Sequence, residues 1–498
     1  MQTNILDYME NCCQNTPLKT AFSNGFDSLT FRDVKNSCDS LGSYLANEKI
    51  YKKPVIVFMA KHPNTIAAFF GVVRGGNYYV PLDAEMPRIR IEFILANLDS
   101  PLMICDEKTL DMATSLDFDG KIVKFDDIIK TTVDEGKITE IAEKAIDTDP
   151  IYIVFTSGST GVPKGVIANH RSVIDYIEQL SLTLGFNHET IFGNQTPLYF
   201  DACLKEIYPT LKFGATTYLI PTELFMQPVK LVEFLNEHRI NTICWVVSAM
   251  TMISAFNTFN TIVPKYLHSI NFGSEVFPIK EFHKWQAALP EAQFVNLYGP
   301  TECTGMCCYY KITKPINETG VIPIGRPFKN TEIIILNEKN EPTKTNETGE
   351  ICIRGTSLTL GYYNDFAKTN EVFVQNPLNS FYPELIYRTG DLGYVNDDGE
   401  IIFCSRKDYQ IKHMGHRIEL GEIEASVYRL EGIKMACCVY DKVRNKIRLF
   451  YVGDISAKEV TERLKELLPR YMMPNSVKQI EKMPLKANGK IDREGLQE

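Results

Sequence analysis

The sequence predicts an α/β protein: a large N-terminal domain of α/β sheets carrying a β-rich subdomain, then a small α+β domain. Three observations predict it. At 498 residues the chain is too long for one hydrophobic core. Short apolar runs alternate with helical patterns through the first 300 residues, the signature of an α/β sheet. The pattern then changes twice, becoming β-rich from about 320 to 405 and resuming alternation after Arg406.

In order along the chain, Pro54 to Met59, Tyr78 to Pro81 and Pro101 to Cys105 read as strands, with a helix over Asn64 to Val72. Ile151 to Phe155 reads as a short buried strand. Met226 to Arg239 has helical period, with Val229, Val232, Phe234 and Leu235 inward, and Ile243 to Val247 reads as another strand. Thr331 to Leu336, Glu350 to Arg354 and Gly399 to Phe403 are strands set between the turn-forming runs NEKNEP, NETG and NDDG. After the boundary near Arg406–Asp408, Ile418 to Leu430 and Ala457 to Leu468 read as helices. Met435 to Tyr440 and Ile447 to Val452 read as strands. The predicted domains are therefore 1–405 and 406–498, the second large enough for its own core.

Composition narrows the function class. Hydrophobic residues make up 44% and charged residues 23%, as in ordinary globular proteins. The formal charge of −9, without a basic run, argues against general nucleic-acid binding. The first residues lack the layout of a secretory signal, and no apolar stretch approaches the roughly 18 residues of a membrane span. A cytoplasmic protein is expected. The 13 cysteines occur singly or as adjacent pairs, with no C-x-x-C, and read as buried free thiols.

"YIVFTSGSTGVPKGVIAN" (152–169) sets an apolar run against a loop of Thr, Ser and Gly. Successive backbone N–H groups in such a loop hold anions, and Lys164 adds positive charge. The Walker spacing is absent, because Pro163 precedes the lysine and Gly165 follows it. In "NLYGPTECT" (296–304), Tyr298 offers a flat apolar face to a purine, Thr301 a hydroxyl, and Glu302 a carboxylate able to hold Mg²⁺ near phosphates. In "YRTGDLG" (387–393), Asp391 suits both hydroxyls of a ribose. "GHRIELGEIE" (415–424) and "PLKANGKIDR" (484–493), with Lys490 in an Asn-Gly turn, complete the set.

With these five stretches in this order, the sequence resembles the adenylate-forming superfamily. It looks most like amino-acid adenylation domains of nonribosomal peptide synthetases and stand-alone D-alanine–carrier protein ligases. The likeness runs from about residue 10 to the end. It implies the adenylate-forming fold, and a loop that grips the outgoing β,γ-phosphates of ATP while a carboxylate attacks the α-phosphorus. Charge builds on phosphate oxygens, so positioned cations matter more than an acid–base pair. By resemblance Lys490 bridges the substrate carboxylate and the ribose side. Glu302 holds Mg²⁺, and Thr156, Ser157, Gly158, Ser159, Thr160, Lys164 and Thr301 form the clamp. Gly273, Ser274, Asn296, Tyr298, Asp391 and Arg406 complete the nucleotide site. Asp408 is the implied hinge of a mobile C-terminal domain, which presents either Lys490 or the segment around Gly415. Swapping a lid suits two incompatible reactions at one site.

The same resemblance places Asp201 against a substrate α-ammonium group; a buried carboxylate is costly without a counter-charge. Ala202, Lys205, Trp245, Ile270, Phe272, Leu297, Gly305 and Met306 align with the side-chain pocket. Trp245 and Phe272 would crowd it, favouring a small side chain, while Lys205 either pairs with an acidic or polar side chain or points away. The D-alanine ligases commonly carry a bulkier residue in place of Ala202. The implied activity is amino-acid activation with transfer to the phosphopantetheine thiol of a carrier protein, expected to be separate because no carrier segment is seen. Lys434, Lys442, Arg444, Lys446 and Arg448 would suit an acidic carrier, though a solvated face is the simpler reading. The alternatives are D-alanine–carrier protein ligation, an acyl- or aryl-CoA ligase, which Asp201 opposes, and a non-catalytic nucleotide-binding regulator, which the retention of Lys490, Glu302 and Asp391 opposes.

Overall fold

The computed structural model describes residues 2–158, 162–318, 320–442, 444–485, 491–493 and 495–496. Two sheets form the bulk of the N-terminal domain. The first has six strands in the order Lys121–Lys124, Leu102–Cys105, Pro54–Phe58, Tyr78–Pro81, Pro150–Thr156 and Lys164–Asn169. All its pairs are parallel except the last, where the phosphate-loop stretch doubles back antiparallel on Pro150–Thr156. The second has nine strands. Its middle six run parallel in the order Gln293–Tyr298, Ser269–Gly273, Thr242–Val246, Ile191–Asn194, Thr216–Leu219 and Thr20–Ser23, with antiparallel strands at both ends.

Both sheets are near-continuous apolar runs because each is covered on its faces. One core joins Val55, Val57, Leu102 and Ile151 of the first sheet to Phe192, Leu219 and Val295 of the second, through helices such as Phe31–Asn47, Pro63–Arg74 and His170–Leu184. These helices are stopped by sequence signals. Thr30 and Asp33 form a reciprocal capping box before Phe31–Asn47. Asn169 caps His170–Leu184 through the Ser172 amide, and Gly185 closes it at φ 76°. The predicted helix near 230 spans Pro228–Glu237 and buries Leu231, Val232 and Leu235. Val229, expected inward, is exposed, because the helix starts at Pro228 and its first turn faces solvent.

A third, antiparallel sheet of five strands includes Gly349–Gly355, Leu385–Val395 and Ile401–Arg406 and packs against Tyr298, Cys303 and Cys307. After Arg406 comes a two-stranded hairpin, Gln410–His413 with His416–Glu419. The helix expected from Ile418 begins only at Leu420, because Ile418 and Glu419 are paired in the hairpin. A three-stranded sheet (Ile433–Asp441, Lys446–Gly453, Ser476–Gln479) with helices Leu420–Tyr428 and Ala457–Leu467 builds the last core. All 13 cysteines are free thiols, Cys404 alone being exposed. Among the described residues no helix is long and apolar enough to cross a membrane.

A Cβ built on Gly185 meets nothing within 4 Å, so Gly185→Ala tests backbone strain alone. The substitution should destabilise the N-terminal domain by about 1 kcal/mol, read as a lower denaturant midpoint at unchanged slope.

Candidate active site

The parallel strands of both large sheets end toward one cleft. Thr156 closes Pro150–Thr156, and Gln195 and Thr196 follow Ile191–Asn194. Val246 ends Thr242–Val246, Ser274 follows Ser269–Gly273, and Gly299, Pro300 and Thr301 follow Gln293–Tyr298. The carboxyl ends of parallel strands are where α/β sheets hold ligands, because backbone N–H groups of the following turns point outward there. The opposite wall comes from the C-terminal hairpin: Gln410, Lys412, Met414, Gly415, His416 and Arg417.

Of the residues singled out in the sequence, Thr156, Ser157, Asp201, Ala202, Ser274, Thr301, Gly305, Met306, Asp391 and Arg406 line this cleft together. Asp391 is buried; its two oxygens take the Tyr298 hydroxyl and the Arg406 guanidinium, each at 2.5 Å. Arg406 also makes a two-point pair with Asp408, at 2.7 and 2.8 Å. Asp408 is therefore tied to Asp391 through one arginine. Asp201 lies at the wall beside Thr301, which hydrogen-bonds it; burial pushes its carboxyl above the usual carboxylate range.

Glu302 is fully enclosed, with no exposed surface. Its Oε1 accepts from the Tyr362 hydroxyl at 2.7 Å and lies 3.6 Å from Lys164 Nζ. Its Oε2 accepts from Arg417 Nη1 at 2.7 Å. Burial opposes the charge, yet Arg417, Lys164 and Tyr362 together hold the carboxyl far below its ordinary value. Lys164 stands over the Tyr362 ring at 4.8 Å, and burial lowers it to about 8. Both Glu302 oxygens, expected to serve Mg²⁺, are engaged by protein donors in this arrangement. Among the described residues no three His, Cys, Asp or Glu side chains gather to hold a metal.

Other residues singled out in the sequence are placed as follows. The face of Tyr298 that should receive a purine has Lys412 over it at 5.2 Å. Trp245, Ile270 and Phe272 are fully buried in a core behind the cleft and do not wall it. Trp245 donates to the Gly193 carbonyl at 2.6 Å, and Phe272 packs on Phe277 and Phe282. Leu297 belongs to the main core. Asn296 is buried and donates to the Pro323 carbonyl, and a Cβ on Gly273 would meet the Leu297 carbonyl oxygen at 2.3 Å. Lys205 is buried outside the cleft lining; its Nζ has no hydrogen-bond partner among the described residues, and its charge lowers the carboxyls of both Glu206 and Asp201. Gly158 is buried at the base of the loop. Ser159, Thr160 and Lys490 lie outside the described residues. On either side of the stretch that holds Lys490, Leu485 and Ile491 form a bridge to each other, and Ile491 packs on the C-terminal sheet with Cys437 and Met483.

Four contributors carried no sequence signal of their own. Arg417 sits in a quoted motif but gained no role there. Tyr362 reaches Glu302 from a turn 60 residues away. Arg90, from the helix Arg88–Ala96, makes a buried ion pair with Glu422 across the two domains. Tyr471 stacks on His416 at 3.7 Å, and Phe200 meets that ring edge-on at 4.9 Å. Desolvation in this sandwich lowers His416 to about 3, so it is neutral.

A family model described as AMP-binding enzyme matches residues 9–363. Bacitracin synthase 1 from Bacillus licheniformis is 30% identical over 99% of this chain, which spans 9% of that protein. Tyrocidine synthase 1 from Brevibacillus parabrevis is 30% identical over 94% of this chain and 42% of its own length. The chain thus spans less than half of these curated relatives. The Vibrio cholerae adenylation domain AlmE, solved in complex with glycyl-adenosine-5'-phosphate, has a TM-score of 0.85 at 22% identity, covering 100% of this chain and 97% of its own. An artificially fused adenylation–PCP di-domain from Klebsiella oxytoca, NpsA-ThdA, has a TM-score of 0.82 at 20% identity, covering 96% and 94%. With more than half of its length matched by the family model, and the fold of these adenylation domains throughout, the chain belongs to the AMP-binding enzyme family, the adenylate-forming superfamily that its five motifs resemble.

Proposed function

We propose that this chain activates an amino acid with ATP as an aminoacyl-adenylate, releases pyrophosphate, and passes the aminoacyl group to the phosphopantetheine thiol of a carrier protein. The observation that carries the reading is Asp201. It is a carboxylate whose burial pushes its pKa up, placed in the same cleft as Asp391 and Arg406. A buried acid beside a nucleotide-type site is relieved by a cationic ligand, and the α-ammonium of an amino acid is one. The relatives named as peptide synthases and the adenylation domain holding a glycyl-adenosine phosphate support the same reading.

In the first step an oxygen of the amino-acid carboxylate bonds to the α-phosphorus of ATP, and the bond to the bridging oxygen breaks, giving pyrophosphate. Asp391 would accept from the ribose hydroxyls once the Tyr298 and Arg406 contacts yield. Ser157 and Lys164 lie where donors and positive charge serve the departing phosphates. Lys490, outside the described residues, is proposed from the resemblance alone to bridge the substrate carboxylate and the ribose side. By the family resemblance Glu302 would hold Mg²⁺, and the ion would supply positive charge to the phosphates. In the second step a thiol sulfur bonds to the acyl carbon and AMP leaves with the former carboxylate oxygen. The hairpin-inserted arrangement suits this second step, because Gly415 at the turn lets the hairpin approach the N-terminal sheet. Met414 and Gly415 have φ of 53° and 78°, a two-residue turn of type I′ sign. A Cβ on Gly415 would lie 2.7 Å from Val246 Cγ1.

Asp201→Asn should lower kcat/KM for amino-acid-dependent ATP–pyrophosphate exchange by about 100-fold with little change in ATP affinity; equal exchange in the variant would remove the ammonium role. Gly415→Leu should slow thioester formation by more than about tenfold through overpacking while exchange stays near wild type. The Lys164 charge is present below about pH 8 and is lost as pH rises through that value. ATP affinity should therefore weaken above pH 8 in the wild type, and the profile of Lys164→Met should be flatter, measured by calorimetry across pH 6.5 to 9.5, a window spanning roughly 1.5 units on either side of that value.

A further inference from the structure

Behind the cleft wall lies a charge that neither step uses: Lys205, four residues past Asp201. It is 1% exposed, and its Nζ has no hydrogen-bond partner among the described residues. We propose that the amino acid activated by this chain carries a carboxylate on its side chain, and that Lys205 binds that carboxylate. The inference rests on the adenylating reading of the cleft and names the substrate class for it.

Two residues of the cleft wall are too small to shield what lies behind them: Ala202, and Gly305 at φ 94°. A Cβ built on Gly305 would lie 3.3 Å from the Tyr176 ring and equally close to its hydroxyl, so the cleft comes within one atomic layer of that group. The hydroxyl is buried without a hydrogen-bond partner among the described residues, and the charges of Asp201 and Glu206 act on it. Cys244, on the strand Thr242–Val246, feels both Glu206 and Lys205 and closes the group from the nine-stranded sheet. Lys205 Nζ, Glu206 Oε1 and the Tyr176 hydroxyl are thus unpartnered polar atoms gathered behind Ala202 and Gly305. Trp245 and Phe272, the rings expected to crowd the side-chain pocket, fill a different core.

Charge decides which ligand belongs there. Burial raises the Asp201 carboxyl, while Thr301 and Lys205 oppose that rise. Glu206 also feels Lys205, but burial pushes its carboxyl up to about 8 despite Lys205, Asn194 and Lys61. At neutral pH Glu206 is therefore held largely protonated, and Asp201 is the main counter-charge of Lys205. An α-ammonium group docked on Asp201 takes that counter-charge away. Lys205 then becomes a buried cation without an anion, which is strongly unfavourable. A carboxylate on the substrate side chain restores the balance and can accept from both Lys205 and the Tyr176 hydroxyl. An amide offers only a dipole, and an apolar side chain leaves the lysine unpaired.

ATP–pyrophosphate exchange by the full chain, with each of the twenty amino acids and the D-forms of aspartate and glutamate, tests this. An aspartate or glutamate should give the highest kcat/KM, exceeding its isosteric amide by at least about tenfold, because only the charge differs. Lys205→Met keeps the length of the side chain and removes its charge. It should lower kcat/KM for the preferred acid by about 100-fold, chiefly through KM, and bring the acid level with its amide or below it. Lys205→Arg should keep the acid ahead. Should Lys205→Met not fold, the wild-type comparison of acids with amides decides by itself. If a neutral or basic amino acid is the best wild-type substrate, or if Lys205→Met still prefers the acid, the assignment is overturned and the adenylating reading stands. If no amino acid supports exchange, both fall.

Discussion

A carboxylate sealed from water governs this molecule. Glu302 meets a tyrosine hydroxyl and two cations from three separate stretches of chain, and one of those stretches belongs to the other domain. A charge in that position is tolerable only while its partners are present. The orientation of the C-terminal domain is therefore written into the electrostatics of the N-terminal one. The same logic recurs at Asp391, whose oxygens are divided between Tyr298 and Arg406, and at Arg90, whose buried guanidinium depends on Glu422.

Thr156 ends one buried strand, Ser274 follows another and Thr301 comes shortly after a third, so the cleft's floor inherits the order of the sheets. The opposite wall is a two-stranded hairpin with few neighbours of its own kind, anchored by His416 between Tyr471 and Phe200. A sheet-built floor facing a hairpin wall from another part of the chain would suit the proposed two-step reaction, which must exclude water in one step and admit a thiol in the next.

Much of the fold was legible because local periodicity set it. Tyr78 to Pro81 and Thr331 to Leu336 were read to the residue, since apolar β-branched or aromatic runs between turn formers leave few alternatives. The helix start at Ile418 was misplaced because an apolar period does not reveal that two residues are already paired in a hairpin. Site residues were legible where a motif kept them close, as with Thr301 and Asp201 at the cleft wall. Trp245 and Phe272, expected as walls, lie buried in a core, because alignment gives a strand position but not which face of the sheet a ring fills. Arg417 on Glu302 was illegible, because a pairing across 115 residues depends on how two domains sit together and leaves no trace in spacing.

The two tryptophans of the chain, Trp245 and Trp285, share one buried core beside the nine-stranded sheet. Their indole emission reports on that core and on little else. The C-terminal domain holds no indole, so it can swing or unravel without a fluorescence signature of its own. Apparent two-state melting followed by this intrinsic signal would describe one layer of the N-terminal domain, and a label placed beyond Asp408 is needed to see the rest.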